Sequence, residues 1–289
     1  MTQFLSRIRT YRLMVYYMAA LLAMGMVLAG LGIIRYRLSD MAFSASVILA
    51  TCLVINWIFA RSFRANSNPE SVLITGLILV LIITPFAPGD FTRLGAAMFA
   101  SSWAVASKFM LATGKRHVFN PAALGVALAA IVLHQSASWW VGDSYLLLPL
   151  VAAGGILILQ RLAYADLLLG FGAVVLGLAV SGSDWSKAAS SISLMLFHSS
   201  FFFFAFVMLT EPRTAPLGRW RRMAFGALTG LLYSPLAHLG SFYFTPEVAL
   251  LAGNVFTLLS KRKSIDRWLT GWRPRAHLAQ TEPASHPTP

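Results

Sequence analysis

The residues of this 289-residue chain best placed to do chemistry in an apolar setting form one short block, Thr210-Glu211-Pro212-Arg213-Thr214-Ala215-Pro216. The block closes an apolar run, Ser190 to Leu209, that contains Phe201 to Phe204. Glu211 can bind a cation or pair with Arg213 or Arg219, since a charge at membrane depth must face protein or water. Thr210 and Thr214 can hydrogen-bond a ligand or cap the broken helix end, and the prolines stop the helix. A second block, Phe119-Asn120-Pro121, opens another apolar run. There Asn120 has the chemistry of an N-cap and Pro121 suits the first helical position. Lys115 and Arg116, just upstream, can receive a phosphate or an acidic partner, or simply anchor the inner membrane surface. Lys108 can snorkel to that surface. His198 lies mid-run, where it can relay protons or hydrogen-bond across helices. The single cysteine, Cys52, lies inside an apolar run and reads as a packing residue. It excludes a disulfide framework and a thiolate metal site. No His, Asp or Glu spacing fits a metal, and no hydrolase or nucleotide-binding motif occurs, so no catalytic residue is assigned.

The elements that must position these residues are membrane helices. With 57% hydrophobic and 11% charged residues, the chain has several runs beyond the roughly 18 residues that read as a span. A β-barrel would show short alternating segments instead. Ten apolar segments are expected: Leu13–Ile34, Met41–Ala60, Val72–Phe86, Leu94–Leu111, Asn120–Leu133, Tyr145–Leu159, Tyr164–Val180, Ser190–Leu209, Met223–Ala237 and Pro246–Leu259. The first follows Arg7, Arg9 and Arg12 and reads as an uncleaved span, being too long for a signal sequence. With both termini cytoplasmic, 19 of the 23 basic residues fall on the inner side, which is the asymmetry of an inner-membrane, multi-pass protein. That placement also argues against nucleic acid as the reason for the +13 charge. The chain therefore divides into a cytoplasmic N-terminus (1–12), a transmembrane domain (13–260) and a basic, disordered cytoplasmic tail (261–289).

The second half echoes the first. Thr84-Pro85-Phe86-Ala87-Pro88 corresponds to the Thr210 block, Gly95-Ala96-Ala97 to Gly226-Ala227-Leu228, and Phe119-Asn120-Pro121 to Phe244-Thr245-Pro246, at offsets of 125 to 131 residues. The repeats are about 13–133 and 145–259. Five spans each is an odd number, so the copies are expected to be inverted, with a site at the proline-started half-helices. Their N-termini suit an electron-rich or anionic group.

Three blocks carry a resemblance: Lys108 with Asn120-Pro121-Ala122, Leu209 to Pro216, and Phe225-Gly226-Ala227-Leu228 with Pro246-Glu247. Over roughly residues 71–260 the chain resembles the family that holds the B subunit of the sodium-pumping NADH:quinone oxidoreductase and the D subunit of the Rnf electron-transport complex. In that family the second block usually carries aspartate where Glu211 stands. The resemblance implies an all-α polytopic fold of about ten helices in an inverted 5+5 repeat, similar to urea transporters. It implies a membrane electron-transfer subunit with flavin (FMN or riboflavin), working with other membrane or peripheral redox subunits that bring flavin or iron–sulfur chemistry. Glu211 would then face a flavin N–H, and Asn120, Pro121, Thr210, Thr214, Lys115 and Arg116 would line the cofactor. The family's Gly-Ala-Thr attachment site occurs nowhere in this sequence, so the flavin is expected to be noncovalent. No soluble redox domain lies in these residues, so the chain is at most one subunit of an oxidoreductase. The same inverted repeat equally suits a non-redox transporter or channel for a small solute or ion.

Overall fold

Local sequence sets where each helix begins. The computed structural model of the protein describes residues 10–65, 68–113, 116–142, 144–181, 189–190, 192–193, 200–240 and 242–260. His198, Lys115 and the tail 261–289 lie outside the described residues. Helix α1 spans Thr10–Gly30 and α2 spans Leu38–Ser62, with Asp40 in its first turn and Arg61 in its last, matching the helix dipole. Helix α3 (Pro69–Ile82) starts at proline, with Asn68 accepting from the Glu70 amide. Helix α4 (Phe91–Met110) is capped by Asp90 through the Arg93 amide. Helix α5 (Pro121–Leu133) is capped by Asn120 through the Ala123 amide at 3.0 Å, as its sequence predicts.

Helices α6 (Leu148–Leu162) and α7 (Ala165–Val180) follow. Then α8 (Phe201–Phe203) runs directly into a π-helical turn, Phe204–Met208. Helix α9 spans Arg219–Tyr233 and α10 spans Pro246–Leu259, again with proline at its first position. Each expected apolar segment holds a helix, although α9 begins four residues earlier than hydropathy indicates. Helices α1 and α2 are long and apolar enough to cross a membrane. Five others (α3, α5, α6, α7 and α10) are apolar but only 13 to 16 residues long.

The two halves repeat one another's pairings. Helix α4 packs on α2 and α5, and α9 packs on α7 and α10; α1 lies on α3, and α6 on α8 with its π-turn. A short hairpin joins α4 to α5 (β1, Ala112–Thr113; β2, Arg116–His117), and another joins α9 to α10 (β3, His238–Leu239; β4, Phe242–Tyr243). Contacts of α1 with α6 and of α5 with α10 tie the halves together. Helix α2 also packs on α3, and Phe171 of α7 stacks on Phe201 of α8 at 5.4 Å between ring centroids.

Close backbone approach explains some glycines and not others. A Cβ on Gly226 would strike the Leu167 carbonyl oxygen of α7, and one on Gly125 would strike the Ala100 carbonyl oxygen of α4. The Gly95 position is open instead. The sequence match of Gly95 to Gly226 therefore does not mark an equivalent packing site.

Candidate functional site

The helix breaks create a cluster at one end of the helices. Helix α8 loosens into the π-turn, where the Leu209 amide reaches back to the Phe204 carbonyl at 2.9 Å. Such turns leave carbonyls in need of donors and recur at functional sites. Thr210 returns its hydroxyl to the Phe206 carbonyl at 2.5 Å, so it braces the break. The Asn120 side-chain amide donates to the Met208 carbonyl at 3.3 Å. Its own backbone amide donates to Asn254 Oδ1 of α10 at 2.7 Å. Three segments far apart in sequence thus meet at one asparagine.

Arg116 fastens the hairpin to the loop after the break. Its Nη2 donates to the carbonyls of Pro212 (2.7 Å) and Ala215 (2.6 Å), and its Nε to that of Arg213 (3.2 Å). Arg213 turns away from Glu211, donating to the Tyr11 hydroxyl at 2.9 Å and lying over that ring. Its Nη1 is 3.3 Å from His117 Nε2. A guanidinium can only donate, so Nε2 accepts and the imidazole proton sits on Nδ1. Burial, then Lys108 and Arg213, push His117 down to about 3, which keeps it neutral.

Glu211 follows the helical segment. Thr214 Oγ1 lies 3.4 Å from its Oε2. Burial pushes its carboxyl up from the usual carboxylate range, while Lys108, Thr214 and Arg213 pull it back. The pairing with Arg213 or Arg219 read from sequence is not formed. Lys108, half-buried in the last turn of α4, donates to the Ser71 carbonyl at 2.7 Å and hydroxyl at 3.3 Å. Arg222 holds Asp166 in a two-nitrogen pair with a contact of 2.6 Å. The residues that sequence reasoning missed are Tyr11, Ser71, His117 and Asn254. Of these, only Asn254 carries a sequence signal that could have found it, an amide within an apolar helix.

Asn120, Pro121, Thr210, Glu211, Thr214 and Arg116 are therefore brought together, and Lys115 lies outside the described residues. Between them is a cavity of about 10 Å³ lined by Tyr11, Ser71, Thr75, Asn120, Glu211 and Pro212 among others. That is room for one water. A flavin ring does not fit there, because the space is filled and most of the polar atoms already have protein partners.

The opposite end of the helices is built differently. Helix α3 ends before Thr84-Pro85, and its last carbonyls are capped by the loop after α5. The Ser138 and Trp139 amides donate to Ile82, the Val141 amide to Leu81, and Trp140 Nε1 to Val80 at 2.7 Å. This fixes Trp140 beside Tyr36, edge to face at 6.1 Å between ring centroids. Arg35 lies over the Tyr36 ring at 5.0 Å and donates to its hydroxyl at 2.7 Å. With Ile33, Ile34, Ser144, Tyr145 and Leu146 they line a cleft of about 220 Å³. Aromatic walls, a guanidinium and hydroxyls suit the flat face and carbonyl edge of a ring system. Among the described residues no group of His, Cys, Asp or Glu could hold a metal. No family model and no curated protein matches this chain.

Proposed function

We propose that the chain is a ten-span, inverted-repeat membrane subunit of an electron-transfer assembly, akin to the family its sequence resembles, with a noncovalent flavin ring in the outer cleft. The observation that carries this reading is the cleft itself. It lies between the connection of the first and second helices and that of the fifth and sixth, and the loop after the fifth helix is where the resembled family carries its flavin. Its walls are Tyr36, Trp140 and Tyr145, with Arg35 and Ser144 at the edge. Flavin bound there would supply one- and two-electron transfer. The chain's own part is to orient the ring by stacking, present donors to its carbonyls and shield one face with Ile33, Ile34 and Leu146.

The ten-span topology is supported by how the loops assort. Tyr11, Ser71, Arg116 and Arg213 gather at one end, as loops assigned to the cytoplasmic side must. Residues 33–36 and 140–146 gather at the other. The exposed Arg61, Arg64, Arg219 and Arg221 on the inner side would meet acidic faces of partner redox subunits.

The test is the flavin content of gently purified wild type against Trp140→Ala and Tyr145→Ala. Loss of most of the flavin in folded variants supports the cleft; unchanged content removes it. A second reading, a transporter or channel, is favoured by the half-buried Glu211 lining a one-water cavity at the helix breaks. Solute uptake by flavin-free proteoliposomes would decide for it.

A further inference from the structure

We propose that Glu247 is a reversible proton site of the membrane domain, reached from the outer side. Its side chain lies in the first turn of α10 and is 2% exposed, yet its Oε2 has no hydrogen-bond partner. The polar side chains that face its carboxyl are those of Trp139 and Thr245, both uncharged. Of the elements packed on α10, α5 carries no titratable side chain before the exposed His134 at its end. Helix α9 carries Arg219, Arg221 and Arg222 at its far end and Tyr233 at the near one. The β3–β4 hairpin adds His238 and Tyr243, whose rings pair with each other at 5.1 Å between centroids. Among the described residues no cation lies within ion-pair distance of Glu247.

Two opposing forces meet at this carboxyl. Burial without a cation favours the neutral acid, because an isolated buried carboxylate is expensive. The start of a helix favours the anion, and Thr245 makes no side-chain cap there. The equivalent turn of α5 is capped by Asn120 and carries Ala122 at the matching position, so the fold itself does not call for a carboxyl at this turn. A carboxyl balanced between these forces takes up and releases a proton with little rearrangement. One oxygen accepts the proton from water at the outer surface, where the exposed β3–β4 hairpin precedes α10, and release returns it there; no electron moves. Trp139 covers the group. It holds φ at 54°, a conformation that non-glycine residues rarely adopt, with its ring edge-on to Phe203 and Phe204, whereas Trp140 lies beside Tyr36. Adjacent residues of one loop therefore face Glu247 and wall the outer cleft. The proton site stands whether or not that cleft holds a flavin.

Infrared spectroscopy of the full chain in lipid tests this. Wild type at neutral pH should show a carboxylic-acid carbonyl band that Glu247→Gln lacks. Glu70→Gln, which removes a carboxylate paired with Arg12, should keep it. The band should shift in D2O and disappear reversibly as pH is raised, because the site exchanges its proton with water. A Glu247→Gln spectrum that matches wild type in this region at every pH overturns the proposal. So does a band that neither shifts in D2O nor titrates, which would mark a sealed acid with a packing role alone. Glutamine is close in shape to the acid and should fold; should it not, Glu247→Asp decides. Aspartate keeps the acid, so the band should move in frequency and still exchange; a band left at the wild-type position belongs to another carboxyl and overturns the proposal. Flavin content, measured on the same samples, bears only on the cleft.

Discussion

Replacing Arg116 with alanine removes the guanidinium that joins the β1–β2 hairpin to the loop after the π-turn. Two nitrogens, Nε and Nη2, serve three carbonyls at 2.6 to 3.2 Å. A hydrogen bond from a charged donor contributes about 1.5–3 kcal/mol. Arg116 is only half-buried, and the freed carbonyls can take up water, so the two donors together are expected to contribute about 2–4 kcal/mol rather than their full sum. At about 2 °C per kcal/mol for a chain of this size, the unfolding midpoint should fall by about 4–8 °C. Lysine at this position keeps the charge but presents one ammonium in place of a planar fork, so Arg116→Lys should recover less than half of the loss. The exposed Arg61→Ala, with no such bonds to carbonyls, should shift by about 1 °C or less. The assay is thermal unfolding in detergent, with trypsin cleavage at Arg219 and Arg221 reporting release of the adjoining loop. An Arg116→Ala midpoint within about 1 °C of wild type, with unchanged cleavage, would refute the bracing role.

Two further outcomes follow from the packing and from the imidazole. Gly226→Ala should destabilise by about 1–3 kcal/mol, since its Cβ meets the Leu167 carbonyl. Gly95→Ala, in open space within a helix, should be neutral or raise stability by about 0.5–1 kcal/mol; equal penalties at the two sites would contradict the asymmetry. His117 titrates at about 3 when folded and at 6.5 in the ordinary state, so the unfolded chain binds its proton first as pH falls. Its contribution is fully present above about 6.5 and is lost progressively toward pH 3. His117→Gln should flatten that part of the stability–pH curve; a variant as steep as wild type would show that the imidazole is not held neutral.

Much of the scaffold was legible because apolar length, prolines and caps are local. Asn68, Asp90 and Asn120 each cap the helix that follows them, and Pro121 and Pro246 stand at first helical positions. The meeting of Asn120 with the Thr210 block was expected from the family resemblance, which puts both around one site. What sequence did not reveal was direction. Lys108 reaches across to Ser71 of α3, and Arg213 leaves Glu211 because Tyr11 and His117 offer a better fork. Those partners are 37 to 202 residues away in the chain. The outer cleft was invisible for the same reason. Tyr36, Trp140 and Tyr145 are ordinary interfacial aromatics until the 138–141 loop caps α3 and sets Trp140 beside Tyr36.

The most direct measurement of the proposed function is the flavin spectrum of the gently purified, folded protein before and after acid precipitation. A noncovalent flavin in the outer cleft predicts a near-stoichiometric flavin band that passes into the supernatant. A folded preparation without flavin in either fraction would contradict the account, and flavin retained in the pellet would contradict its noncovalent attachment.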